Sequence, residues 1–276
     1  MENFGTVRPR KPWLAVLLSF ASTGLGQVYN GQWRKGLTFF GIETVLGIPV
    51  VYGLGSFSVL VGGVTVLLVF NLGVAVEAYC TARNQGAYRL GRTNIWWVYA
   101  LFFIANLVVG LGLDGVADRY YYKSFKVPSK SMLYTLEVGD HFMAEVLSRE
   151  AVVVRGDIVV FLDPESGRHF VKRVIGLPGE TLEVRDRMVF INGRALDEPY
   201  ALHTQSAIKS VRDIFGPVTL ESGEYFVMGD NREASFDSRW FGPVPGERIM
   251  ARARYIYFPG HLGSAGWFGR LGMDIR

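Results

Sequence analysis

The sequence holds a single cysteine in 276 residues, Cys80, so it can form no intramolecular disulfide and no cysteine-based metal cluster. Cys80 lies in an apolar run and reads as inert packing. Histidine is also scarce. His141, His169, His203 and His261 are scattered without the paired spacing of a zinc site, so no metal is expected. No internal repeat or low-complexity linker interrupts the chain. Residues 114–276 lack a charge excess, with 21 bases against 22 acids. Residues 1–113 carry eight bases (Arg8, Arg10, Lys11, Arg34, Lys35, Arg83, Arg89, Arg92) against three acids (Glu2, Glu43, Glu77). Positive charge between apolar runs orients a chain in a membrane and is not a nucleic-acid patch, so no nucleic-acid partner is expected.

Apolar residues are plentiful, at 49% of the chain. Three stretches, about 36–55, 57–79 and 95–113, approach the ~20 residues that a bilayer core requires. The segment 13–33 is interrupted by Gly24, Gly26, Gln27, Asn30, Gly31 and Gln32. A full crossing there would leave one basic cluster outside in every topology. A re-entrant or interfacial segment puts all three clusters in the cytoplasm and leaves the uncharged turn at Gly55 and Ser56 outside. The last span then delivers residues 114–276 to the extracytoplasmic side. The basic start before an apolar run imitates a secretory signal, but further runs follow and no cleavage site ends the first, so the segment is expected to be retained. Glu43, inside a span, reads as a hydrogen-bonded glutamate between helices and is assigned no role. Glu77 is near a span end and reads as reaching the headgroups.

After Asp114 the pattern changes to short alternating runs separated by Gly, Pro and Asp turns, which predicts a mostly antiparallel β domain able to bury its own core. The fold class expected is an α-helical membrane region, 1–113, followed by a β-rich extramembrane catalytic domain, 114–276.

Without a metal, a hydrolase needs an activated nucleophile. A Ser-His-Asp triad varies in chain order, so sequence alone leaves it open, but the histidines have weak claims. The alternative is a serine activated by a lysine kept neutral through burial, which can bring an amine pKa of ~10.4 down by several units. In the strand His169 to Val174, alternation puts Phe170, Lys172 and Val174 on one face and His169, Val171 and Arg173 on the other. Lys172 thus has the apolar neighbours that such a base requires.

Three segments in order, VPSKSMLYTLEVGD (127–140), RGDIVVF with FVKRVIGLPGE (155–180) and MGDNREASFDSRWFGPV (228–244), resemble the motif set of type I signal peptidases. The resemblance covers most of residues 125–260 and implies a membrane-bound Ser–Lys serine protease that removes signal peptides from exported preproteins. It implies a bacterial-type cytoplasmic (inner) membrane location and the bilayer and preproteins as partners. It requires no cofactor. By the same resemblance Ser131 is the nucleophile, Lys172 the general base and Ser129 the oxyanion residue, sharing a face with Ser131 if that stretch is extended. Ser235 orients the lysine amine. Asp237 and Arg239, with Arg173, brace the site. For these charged residues the plain alternative is a surface ion pair worth under about 1 kcal/mol. Gly229, Asp230 and Asn231 read as turn formers.

Two positions depart from the family pattern. Lys130 stands where glycine is common, which matters if positive φ is needed there, and Tyr134 stands where proline is common, which would loosen the turn positioning Ser131. These departures leave two alternatives: a specialised processing peptidase for one substrate class, or a non-catalytic signal-peptide-binding paralogue.

Overall fold

The computed structural model describes residues 7–86, 88–89, 94–148, 150–163, 167–205, 210–261, 263 and 266–275. Arg92 and Glu2, counted among the charges above, lie outside the described residues. The chain divides into two compact units, Met1–Ala117 and Asp118–Arg276.

The first unit contains β1 (Val7–Arg8), α1 (Pro12–Ala21), α2 (Leu25–Tyr29), α3 (Trp33–Tyr52), α4 (Phe57–Asn84), β2 (Tyr88–Arg89) and most of α5 (Trp96–Tyr120). Helices α3, α4 and α5 are long and apolar enough to cross a membrane. α4 and α5 run past the apolar stretches read from the sequence, because charges such as Arg83, Asp114 and Arg119 end hydrophobicity without interrupting the backbone ladder. α1 opens with Pro12 in its first turn, where a missing N–H costs nothing. Its ten residues reach about 15 Å, half of a ~30 Å hydrocarbon core.

The chain then turns at Gly24, whose φ is +90°; a Cβ there would lie 2.2 Å from the Gly36 carbonyl oxygen, so the turn and α3 meet backbone to backbone. α2 ends at Tyr29, beside the start of the segment. The Lys11 N–H donates to Tyr29 Oη at 3.1 Å, and the Arg10 guanidinium is 4.4 Å and 4.2 Å from the ring centres of Tyr29 and Tyr88. β1 pairs antiparallel with β2, Val7 opposite Arg89. Residues 12–29 therefore leave and return at the end of the unit where α4 finishes.

Polar side chains inside this unit bond to each other. Asn71 Nδ2 donates to Glu43 at 2.8 Å, and Thr23 donates to Asn71 at 2.5 Å. Glu77 does not reach outward as expected: it pairs with Lys35 and accepts from Gln27 and Thr81, each at 2.8 Å. Cys80, expected to be packed, lies on an exposed face of α4.

The second unit is built from β3 (Tyr122–Lys126), β4 (His141–Val146), β5 (Ile158–Leu162), β6 (His169–Gly176), β7 (Thr181–Arg185), β8 (Met188–Ile191), β9 (Arg194–Ala195), β10 (Phe215–Thr219), β11 (Glu224–Met228), β12 (Val244–Pro245) and β13 (Ile249–Phe258). Short helices α6 (Ser210–Asp213), α7 (Ser238–Phe241) and α8 (Trp267–Arg270) complete it. The strands form a seven-stranded sheet, ordered β12-β11-β6-β5-β13-β4-β3, and a four-stranded sheet, ordered β10-β7-β8-β9; every strand pairing within them is antiparallel.

β5 lies mid-sheet, and its run Ile158-Val159-Val160-Phe161 is buried on both faces rather than alternating. Ile158 and Val160 join a core with Met132, Leu136 and Phe142, while Val159 and Phe161 join another with Val174 and Val227. Each such side chain contributes about 1.5–3 kcal/mol of burial. A third core, around Ile175, Leu182 and Phe226, lies under the smaller sheet.

Candidate active site

Ser131 lies in the 127–140 loop between β3 and β4, at the sheet edge, whereas Lys172 is on β6, three strands from β4. The loop folds over the sheet and closes the gap. Its ends are tied by Val127 N–H to the Asp140 carbonyl (2.8 Å) and Gly139 N–H to the Val127 carbonyl (2.9 Å). Met132 and Leu136, both essentially fully buried, anchor it against Ile158 and Val160 of β5. This brings Ser131 Oγ to 2.9 Å from Lys172 Nζ.

Ser131 is not in extended chain, so the condition for a shared strand face is not met; it sits in a 3₁₀ turn, Lys130–Met132, whose preceding residue Ser129 is extended. The Ser129 hydroxyl nevertheless reaches Ser131 Oγ at 3.2 Å. Lys130 points to solvent and has no positive φ, so the lysine replaces glycine there without backbone strain. Tyr134 is different: its φ is +32°, a conformation that a proline ring, locked near −65°, cannot adopt. The turn is thus not a proline turn that has lost its lock but one with another course.

Lys172 is 5% exposed. On β6 it faces Val159 of β5, and its amine is 5.4 Å from the ring centre of Phe170, which with Val174 shares the core beneath. Burial lowers its pKa from 10.5 to about 8; Asp237 and Asp230 oppose that fall, and Arg239 adds to it. The amine also donates to the Val171 carbonyl at 3.1 Å. A buried amine with so low a pKa is neutral in a large fraction of molecules at mildly alkaline pH, and in that form it can accept the Ser131 proton.

The charged residues are buried pairs rather than surface pairs. Arg239 binds Asp237 in two parallel hydrogen bonds (2.8 and 2.9 Å), with both side chains at most 1% exposed. Asp237 also accepts the Gly229 N–H at 3.0 Å, and Arg239 holds its carboxyl below the ordinary range although burial alone would raise it. Arg173 does not join this pair. It binds Asp230 in two bonds of 2.8 Å, since β6 and β11 pair Arg173 with Met228 and the chain turns there. Asp230 accepts from Thr135 Oγ1 at 2.6 Å, tying the Ser131 loop to β6 and β11.

Ser235 is buried at the site, where its hydroxyl lies beside the Asp237 carboxylate and helps to lower that group's pKa; no hydrogen bond joins it to the Lys172 amine. A Cβ on Gly229 would lie 2.3 Å from Ser235 Oγ and 2.5 Å from the Ser131 carbonyl oxygen, so the Gly229 backbone meets the Ser131 backbone and the Ser235 side chain there.

Asp230 and Asn231, turn formers by residue type, also have partners that the sequence does not name. Asn231 donates its N–H to the Ser131 carbonyl (3.0 Å) and its amide to the Lys130 carbonyl (3.1 Å), clamping the nucleophile's backbone. The sole sequence signal was their place inside a motif. The histidines bond elsewhere: His203 pairs with Glu233, His141 meets Tyr257, and His169 packs edge-on against Phe125.

Comparison with known proteins identifies the family. Residues 95–258 match the family described as "Signal peptidase, peptidase S26". The chain is 32% identical over 176 residues to signal peptidase I of Bacillus amyloliquefaciens, covering 62% of this chain and 89% of that one. It is 35% identical over 159 residues to signal peptidase I T of Bacillus subtilis strain 168 (55% and 82%). It is 39% identical over 173 residues to signal peptidase I of Leptolyngbya laminosa (58% and 79%). The chain belongs to the signal peptidase family, peptidase S26, and is a serine endopeptidase of that family.

Proposed function

We propose that this protein removes N-terminal signal peptides from exported preproteins, with Ser131 as nucleophile and Lys172 as general base. The observation that carries the reading is the 2.9 Å approach of the buried, pKa-lowered Lys172 amine to the Ser131 hydroxyl. In the reacting state the neutral amine accepts the hydroxyl proton as Ser131 Oγ attacks the scissile carbonyl. The oxyanion that forms is met by the Ser129 hydroxyl and the Ser131 N–H. The ammonium then protonates the departing amine as the C–N bond breaks, leaving the signal peptide as an ester on Ser131. Lys172, neutral again, takes a proton from the water that hydrolyses this ester, and Ser131 recovers its proton. Ser235, buried beside Asp237, orients the amine once Ser131 is acylated. Arg173 with Asp230, and Arg239 with Asp237, hold the two walls of the site.

The proposal extends to the membrane. Helices α3, α4 and α5 are three spans, the basic clusters face the cytoplasm, and the second unit works on the extracytoplasmic side. The return of residues 12–29 to the same end of α4 supports a re-entrant segment. The test is cleavage of a preprotein bearing an Ala-x-Ala site by detergent-solubilised protein. Ser131→Ala and Lys172→Ala are expected to abolish product, and unchanged cleavage by either overturns the dyad.

A further inference from the structure

The matched family region ends at residue 258, yet the chain continues and folds back onto the core. The Ile256 N–H donates to the Met273 carbonyl (3.0 Å), the Gly272 N–H to the Ile256 carbonyl (2.8 Å) and the Ile275 N–H to the Arg254 carbonyl (2.8 Å). Ile275 is buried in the same core that holds Met132 and Leu136. This return places Arg270, at the end of α8, against the loop that carries Ser131. Arg270 donates to the carbonyls of Tyr134 (3.3 Å) and Thr135 (3.4 Å) and is paired with Asp140.

Asp140 is fully buried and fastens the base of that loop: one of its oxygens also accepts the Glu137 N–H (2.8 Å), the other the Gly260 N–H (2.9 Å). The loop is therefore gripped on two sides of the nucleophile. Asn231 holds the carbonyls of Lys130 and Ser131, and Arg270 holds those three and four residues further on. The second grip falls where the backbone is in the left-handed region, at Tyr134, a conformation that L residues other than glycine rarely adopt unless held.

We propose that Arg270, in the C-terminal return outside the matched region, is a positioning residue that holds the 134–135 turn and so keeps the Ser131 hydroxyl in register with Lys172. This rests on the reading of Ser131 as nucleophile. Displacing a reacting group by about 1 Å can cost roughly 100-fold in rate, which sets the scale expected.

The test uses the full-length protein in detergent with an Ala-x-Ala preprotein, comparing wild type, Ser131→Ala, Arg270→Lys and Arg270→Ala. Arg270→Lys keeps a positive charge beside Asp140 but cannot span both carbonyls. It is expected to fold with a near-wild-type thermal midpoint, lower kcat by about 10- to 100-fold with KM changed less than about 3-fold, and move the pKa of the kcat profile upward as the loosened loop hydrates the Lys172 amine. Arg270→Ala is expected to regain part of its kcat in low-millimolar guanidinium. Wild-type kcat and pH profile in Arg270→Lys overturn the proposal even if Arg270→Ala fails to fold. Cleavage by Ser131→Ala instead overturns the nucleophile assignment itself.

Discussion

Burying the Lys172 amine lowers its pKa from 10.5 to about 8, so at pH 7 the folded protein carries an ammonium in surroundings that disfavour it. Between these two values the unfolded chain binds more protons than the folded one, and stability therefore rises with pH through that window. At ~1.36 kcal/mol per unit the penalty below pH 8 is about 3 kcal/mol. Lys172→Met is expected to raise the thermal midpoint at pH 6–7 while abolishing cleavage, with the gain shrinking to nothing as pH approaches 10.5. A pH-independent difference between the two proteins would show that the amine is not the cause. The same amine governs the rate: kcat for the wild type should rise through a pKa near 8 as Lys172 loses its proton, and a profile flat across that range would remove it as the base.

At the scale of elements, the site hangs on two joints where motif turns meet the sheet. The joint between β6 and β11 is made by Arg173 and Asp230, 2% and 1% exposed, and breaking one partner of such a pair leaves a buried charge. Asp230→Ala is expected to lower unfolding free energy by about 3–5 kcal/mol. Glu183→Ala, which removes the partner of Arg185 in an exposed pair on β7, should change it by less than about 1 kcal/mol. Equal effects in denaturant titrations would contradict the distinction. The second joint is the close approach at Gly229. Gly229→Ala puts a methyl 2.3 Å from Ser235 Oγ and 2.5 Å from the Ser131 carbonyl oxygen. Because the latter is backbone clamped by Asn231, Ser131 must shift, and kcat is expected to fall by at least about 10-fold. Wild-type kcat in that variant would mean that the turn yields instead.

At the scale of the whole molecule, the proposed topology follows from where residues 12–29 begin and end. β1 is paired to β2 and Arg10 lies between Tyr29 and Tyr88, so the proposed topology puts the N-terminal segment and Tyr88–Arg89 on one side of the membrane. In a Cys80→Ser background, a membrane-impermeant maleimide applied to intact cells should label Ser56→Cys but label Gly86→Cys only after permeabilisation. Labelling of Gly86→Cys from outside would reverse the orientation.

The sequence by itself determined the class of each half and the family that it resembles. Continuous apolar runs announce helices that can span and alternation announces strands, because each of these signals is local; a lysine flanked by Phe170 and Val174 would by itself pass for a solvated strand lysine, and it is the resemblance of the three ordered motifs that marks it as a base. Local signals also fell short in identifiable ways. Turn chemistry at Asp230 and Asn231 does not name their partners, residue type alone leaves Asp237 and Arg239 between a brace and a surface pair, and charged residues seemed to end helices that in fact continue. Only the tertiary structure decided which partners these groups have. Arg173 meets Asp230 through strand pairing across 57 positions, and Arg270 meets Thr135 across 135. No periodicity spans such separations, since the energies that select these contacts, burial of charge and satisfaction of carbonyls in a closed loop, exist only once the sheet has brought the segments together.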